Sequence, residues 1–174
     1  MNKFNPNLFK MGYIIAYMNV GDFFGNQIVK RQLKAGFPEE QAQITHIEIS
    51  GGGVHSVNIA PPFSKSIDIT KRHKGRYVYL LRYRNDDYEK RGRYKVAYFS
   101  ATLCNIGYDV PGIFRFVYKW IGQNNRLWFC SEGALYSIQK EYPKAWHYLK
   151  PEDCMPAHMM DETYVEKVWN GFIS

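Results

Sequence analysis

Residues Ile44–Ala60 read ITHIEISGGGVHSVNIA. Two alternating runs, ITHIEIS and VHSVNIA, flank the triglycine Gly51–Gly53, which signals a β-hairpin. Alternation puts Thr45, Ile47 and Ile49 on one face of the first strand. Ile44, His46, Glu48 and Ser50 share the other. The first face suits a core. The second is mostly polar and needs a cleft, solvent or a partner. A strand histidine is more often structural than catalytic, so His46 gains meaning only if the chain also supplies a nucleophile.

Working outward, the elements fall into blocks. Tyr13–Met18 reads as a strand or entering segment. Phe23–Ala35 suits a helix with Phe24, Ile28 and Leu33 inward and Lys30, Arg31 and Lys34 outward, ended by Gly36 and Pro38. Pro61-Pro62 stops the second hairpin strand. Tyr77–Tyr83 is predicted as a strand; Tyr94–Asn105, Gly112–Ile121 and Ser131–Glu141 as helices; and TYVEKVWNGF (163–172) as a last strand. The blocks indicate an α+β fold in one domain spanning 1–174, with an antiparallel sheet or half-barrel packed on helices. No repeat or linker divides it.

The composition narrows the class. A chain of 174 residues, 45% hydrophobic and 17% aromatic, can bury a proper core. Its three cysteines, Cys104, Cys130 and Cys154, form no CxxC pair, so neither a disulfide framework nor a zinc site is expected. The histidines and carboxylates show no metal-ligand spacing, and no cofactor is expected. The apolar run Tyr13–Met18 is thin for an export signal and no stretch is long enough to cross a bilayer, so a cytoplasmic setting is expected. The net charge of +7 sits in Lys71–Lys95, which holds ten Lys or Arg and three acids. One reading is a solvated strand and loop. The other is a surface for an anionic partner, nucleic acid or an anionic polymer, carried by Arg82, Arg84 and Arg93.

LWFCSEGALYSI, Leu127–Ile138, carries the nucleophile candidate. An apolar run turns into an amphipathic helix at Cys130. There the helix N-terminus favours an anion.

THIEIS followed by CSEGAL resembles the circularly permuted papain-like hydrolases of the NlpC superfamily, the YiiX-like or YebB-like group. In ordinary papain-like enzymes the cysteine precedes the histidine. In the permuted group a Gly-Asp pair comes first, then a histidine strand, and a Cys-Ser-Glu helix late. This chain has Gly21-Asp22, His46 and Cys130-Ser131-Glu132 in that order. GYDVPGIFRF (107–116) is similar to the family's Tyr-Asp segment, and LKPEDCM (149–155) resembles its Pro-x-Asp stretch. The likeness covers roughly residues 12–155. One departure is Glu48, where the family's strand usually has glycine. The resemblance implies a permuted papain-like fold and acyl transfer by a cysteine: an amidase, peptidase or esterase. The substrate stays open, a cell-wall peptide or a lipid acyl group among the family's range.

In that scheme Cys130 is the nucleophile and His46 the acid–base group. The backbone N–H of Cys130 serves the oxyanion, because the first turn of a helix has free donors. Ser131 and Glu132 are structural, since an acid in the first turn suits the dipole and caps backbone N–H groups. For the group that orients the imidazole the candidates are Asn58, Glu48 and His55. A three-residue loop at Gly51–Gly53 pairs Ser50 with Val54, Glu48 with Ser56 and His46 with Asn58. Opposed residues share a face with Cβ atoms about 4.5–5.5 Å apart. Asn58 is therefore the first choice, Glu48 the next, and His55 falls on the far face. Two other readings compete: a catalytically silent member of the fold that binds an anionic partner through 71–95, and a nucleic-acid-binding module in which Cys130 only fills the core.

Overall fold

The structure is a computed structural model and describes residues 3–108 and 128–174. Its spine is β1 (Ile14–Met18), whose run IIAYM is apolar throughout because both its faces are covered. Ile14, Ile15, Ala16 and Tyr17 are all fully buried. After it come α1 (Phe23–Lys34), α2 (Glu39–Ala42), β2 (Ile44–Gly52), β3 (His55–Asn58), β4 (Lys65–Asp68), α3 (Ile69–Arg72), β5 (Tyr77–Tyr83), a π-turn at Tyr88–Gly92, α4 (Arg93–Ala101), α5 (Cys130–Glu141) and β6 (Val165–Phe172). The strands form one six-stranded sheet in the order β4-β3-β2-β1-β5-β6, and every pair described is antiparallel. The fold is α+β, as the block order of the sequence implies.

The hairpin is tighter than the triglycine suggests. Gly52 (φ +101°) and Gly53 (φ +62°) adopt left-handed backbone, which glycine reaches without a Cβ penalty. They let the chain turn between Gly52 and His55, with a bulge between Ser50 and Gly52. Ser50 therefore pairs with Ser56 and not with Val54. The displacement is two residues, so every side chain keeps its face but moves one pair along.

Helix α1 forms where expected but rolls about its axis. Gly25, Val29 and Gln32 face inward, while Phe24 and Leu33 are about half exposed, at 50% and 46%. Gln32 decides the orientation. Its amide donates 2.8 Å hydrogen bonds to Ala42 O and Ile44 O and accepts one of 2.7 Å from Ala157 N. A buried polar group so fully paired pins the helix against β2. Asp22 starts the helix by accepting from Gly25 N at 2.6 Å.

Helix α5 packs on β2 and on α4. Ala134, Leu135 and Ile138 enter the main core. Gly133 lets the helix approach β3 closely: a Cβ there would stand 2.2 Å from Ile59 Cδ1. The expected helix at Gly112–Ile121 lies outside the described residues, as does most of GYDVPGIFRF. Strand β4, an edge strand with the short sequence KSID, carries little apolar pattern and does not announce itself in the sequence.

Candidate active site

Four elements meet at one carboxylate. Tyr17 on β1 lies opposite His46 on β2. Glu48 is two residues further along β2, on the same face. Ser56 comes from β3, and His73 from the residue closing α3. Glu48 is 1% exposed and fully engaged. Oε1 lies 3.1 Å from His46 Nε2 and 2.8 Å from His73 Nε2. Oε2 accepts from Tyr17 OH at 2.8 Å and from Ser56 Oγ at 2.5 Å. Burial alone would raise the Glu48 carboxyl; the hydrogen bonds from His46 and His73 win and hold it at about 2. Burial and the neighbouring Glu48 charge push the Tyr17 phenol well up, so it stays a donor.

His46 connects this carboxylate to Cys130. Its side chain is 17% exposed. Burial would lower its pKa, but charge attraction and a hydrogen bond to Cys130, with the bond to Glu48, outweigh that and raise it to about 10. The same interactions thus couple the imidazole to a sulfur as well as to a carboxylate. Assigning the Nε2–H to Glu48 leaves Nδ1 for Cys130.

Cys130 is the first residue of α5 and 5% exposed. The residues after it are structural. Ser131 donates to Cys154 O at 2.5 Å, tying the helix start to the segment before the 3-10 turn Pro156–Met160. Glu132 Oε2 accepts from Phe129 N at 3.3 Å, capping the backbone as its position suggests. Of the other thiols, Cys154 is fully buried, with its pKa pushed well up by burial and by the Cys130 charge. Cys104 is partly buried and raised by burial.

The orienting group is where the sequence reading needs correction. Glu48, not Asn58, is bonded to the His46 ring. The hairpin register is the cause: continuing from Ile49–Val57, Asn58 falls beside Glu48, one pair away from His46. Asn58 is 2% exposed and its Oδ1 has no hydrogen-bond partner among the described residues. His55 is exposed on the far side of the strand. His73, placed by the sequence only in the basic loop, is buried here against Glu48. Its sole signal in the sequence is that it is a histidine following a short turn capped by Asp68.

His46, Glu48 and His73 offer three ligand atoms within 4.8 Å of one another, a set that could share one metal ion. It assembles in space, not at any sequence spacing, so the expectation of no metal missed it. Two features oppose a dication there. The Arg76 guanidinium is an electrostatic neighbour of Glu48, and Cys130 competes for His46.

The three arginines expected to carry an anionic-partner surface each have partners within the fold. Arg82 pairs with Glu166 at 2.5 Å and Glu89 at 3.6 Å. Arg84 donates to Glu162 O and Val165 O. Arg93 donates to Glu89 O and lies over the Tyr94 ring, 4.0 Å from its centroid. These arginines bind β5, β6 and the π-turn together.

Comparison with protein families, with curated proteins and with solved structures finds no match to this chain. Among the described residues, no helix is long and apolar enough to cross a membrane.

Proposed function

We propose that the chain is a cysteine-dependent acyl hydrolase or transferase with a permuted papain-like fold, acting through Cys130, His46 and Glu48. One observation carries this reading: a cysteine at a helix start is coupled to an imidazole whose Nε2 is held by a buried carboxylate. The helix bearing the cysteine packs directly on the strand bearing the histidine.

The chemistry follows from the protonation states. The Cys130 sulfur attacks a carbonyl carbon, and the developing oxyanion lies at the Cys130 N–H, which has no acceptor within its own helix. As the tetrahedral adduct collapses, the bond to the leaving amine, alcohol or thiol breaks and His46 gives that group a proton. A thioester remains. Water, or another acceptor, attacks the thioester while neutral His46 takes its proton, and the thiolate departs. Glu48 keeps the ring oriented and stabilises its charged form without accepting the proton, since its carboxyl is held at about 2.

Incubation with p-nitrophenyl acetate and intact-mass analysis tests this. An acetyl adduct on Cys130 is expected, absent in Cys130→Ser and slow to clear in His46→Gln. An adduct confined to other residues overturns the assignment. Of the basic segment 71–95 that a silent anion-binding module would use, Arg82, Arg84 and Arg93 have partners within the fold.

A further inference from the structure

The cleft lined by His46 holds unpaired polar groups that the mechanism does not use. It encloses about 460 Å³. Its apolar wall includes Phe24, Ile28 and Pro61, and its polar wall includes Asn58, Arg72 and Arg76. Arg72 is exposed and makes no ion pair or hydrogen bond among the described residues. Arg76 donates through Nη2 to Met18 O at 2.8 Å and lies over the Tyr17 ring, 5.4 Å from its centroid. Its Nε is buried with no partner among the described residues. Asn58 Oδ1, from an almost fully buried side chain, is in the same state. A buried polar atom left unpaired is costly, so a ligand that pairs it is favoured. Asp22, the acid at the rim, caps α1 and also attracts the Arg76 guanidinium.

Resting on the thiol-hydrolase reading, we infer that this cleft takes the leaving-group half of an amide substrate, with a carboxylate or phosphate on that half held by Arg72 and Arg76 and the amide N–H received by Asn58. The side follows from the chemistry. The leaving group must lie against the imidazole that protonates it, and His46 faces this cleft. The charge follows from two guanidiniums, one without a protein partner and one with a free buried N–H. Arginine forks suit carboxylate and phosphate oxygens. The amide follows from an unpaired carbonyl oxygen, which requires a donor.

The test separates this subsite from the thiol chemistry. In Cys130→Ser, N-acetylglycine, N-acetylglycinamide and inorganic phosphate are titrated while the Arg76 Nε–H resonance is followed by NMR. N-acetylglycine is expected to bind about tenfold tighter than its neutral amide, a difference of one charge-assisted contact. Arg72→Gln should remove most of that difference, and Asn58→Ala should weaken both acetylated probes alike. Phosphate binding that exceeds N-acetylglycine binding assigns the anion as phosphate; the reverse assigns it as carboxylate. Equal affinity for the charged and neutral probes, or no saturable shift from either anion, overturns the inference whatever Cys130 does. A subsite that binds as expected beside a Cys130 that forms no acyl adduct would instead sink the hydrolase reading alone.

Discussion

Glu48 Oε1 lies 3.1 Å from His46 Nε2, on the same strand two residues away. The contact exists because both side chains leave β2 on one face and Tyr17, Ser56 and His73 hold the carboxylate in place. A carboxylate in this role stabilises imidazolium far more than an amide could. Glu48→Gln should therefore lower turnover by about 10²–10⁴-fold while leaving the fold intact. Asn58→Ala should cost far less in turnover of an ester, which has no amide N–H for Asn58 to receive. Steady-state rates on one activated ester, with circular dichroism as the folding control, decide it. A larger loss of turnover from Asn58→Ala than from Glu48→Gln would return the orienting role to the asparagine.

Much of this was legible in the sequence, and its failure is local. Cys130 at a helix start and His46 on a polar strand face could be read because helix caps and strand alternation are set by near neighbours. Tyr77–Tyr83 and Cys130–Glu141 emerge almost where the pattern places them. The choice between Asn58 and Glu48 turned on hairpin register. Three consecutive glycines leave register to turn geometry, which no side chain advertises. Helix α1 rolled because Gln32 is buried, a position periodicity assigns to an apolar residue. His73 was illegible because it reaches Glu48 across 25 residues of chain.

The buried second imidazole should be a positioning residue. His73→Asn removes one donor from Glu48 Oε1 and leaves His46 with the whole of that oxygen. Turnover is expected to fall by about tenfold or less, with a shift in the pH profile, because His46 itself is untouched. His73→Phe, which fills the space without donating, should behave like the asparagine variant in pH profile if the hydrogen bond matters. A profile identical to wild type in both variants would reduce His73 to packing.

Alkylation should rank the thiols. Brief exposure to iodoacetamide near neutral pH is expected to label Cys130 first, although it is only 5% exposed, because His46 offers it a cationic partner. Cys154 should stay unlabelled, being fully buried with a raised pKa. Cys104 is the more accessible competitor, and peptide mapping that finds it labelled before Cys130 would remove the case for an activated nucleophile.

Chelation separates thiol from metal chemistry at the His46–Glu48–His73 cluster. EDTA should leave ester hydrolysis unchanged, and Cys130→Ser should abolish it. Activity that is lost on chelation and restored by a divalent ion, while surviving Cys130→Ser, would assign the cluster to a metal.

The same pair predicts how stability responds to pH. Glu48 is lowered from its ordinary 4.5 to about 2, so its contribution is complete above about 4.5 and is lost as pH falls towards 2. His46 is raised from its ordinary 6.5 to about 10, so its contribution is complete below about 6.5 and is lost as pH rises towards 10. Both contributions are whole only between about pH 4.5 and 6.5, and thermal midpoints should be highest there. The alkaline decline depends on His46 charge, so it should flatten in His46→Gln, while the acid decline persists in weakened form because His73 still bonds Glu48. Melting curves of the wild type and of His46→Gln from pH 3 to pH 10 provide the measurement. An alkaline limb of equal steepness in both proteins would show that the His46 proton is not held by Cys130 and Glu48 in the folded state.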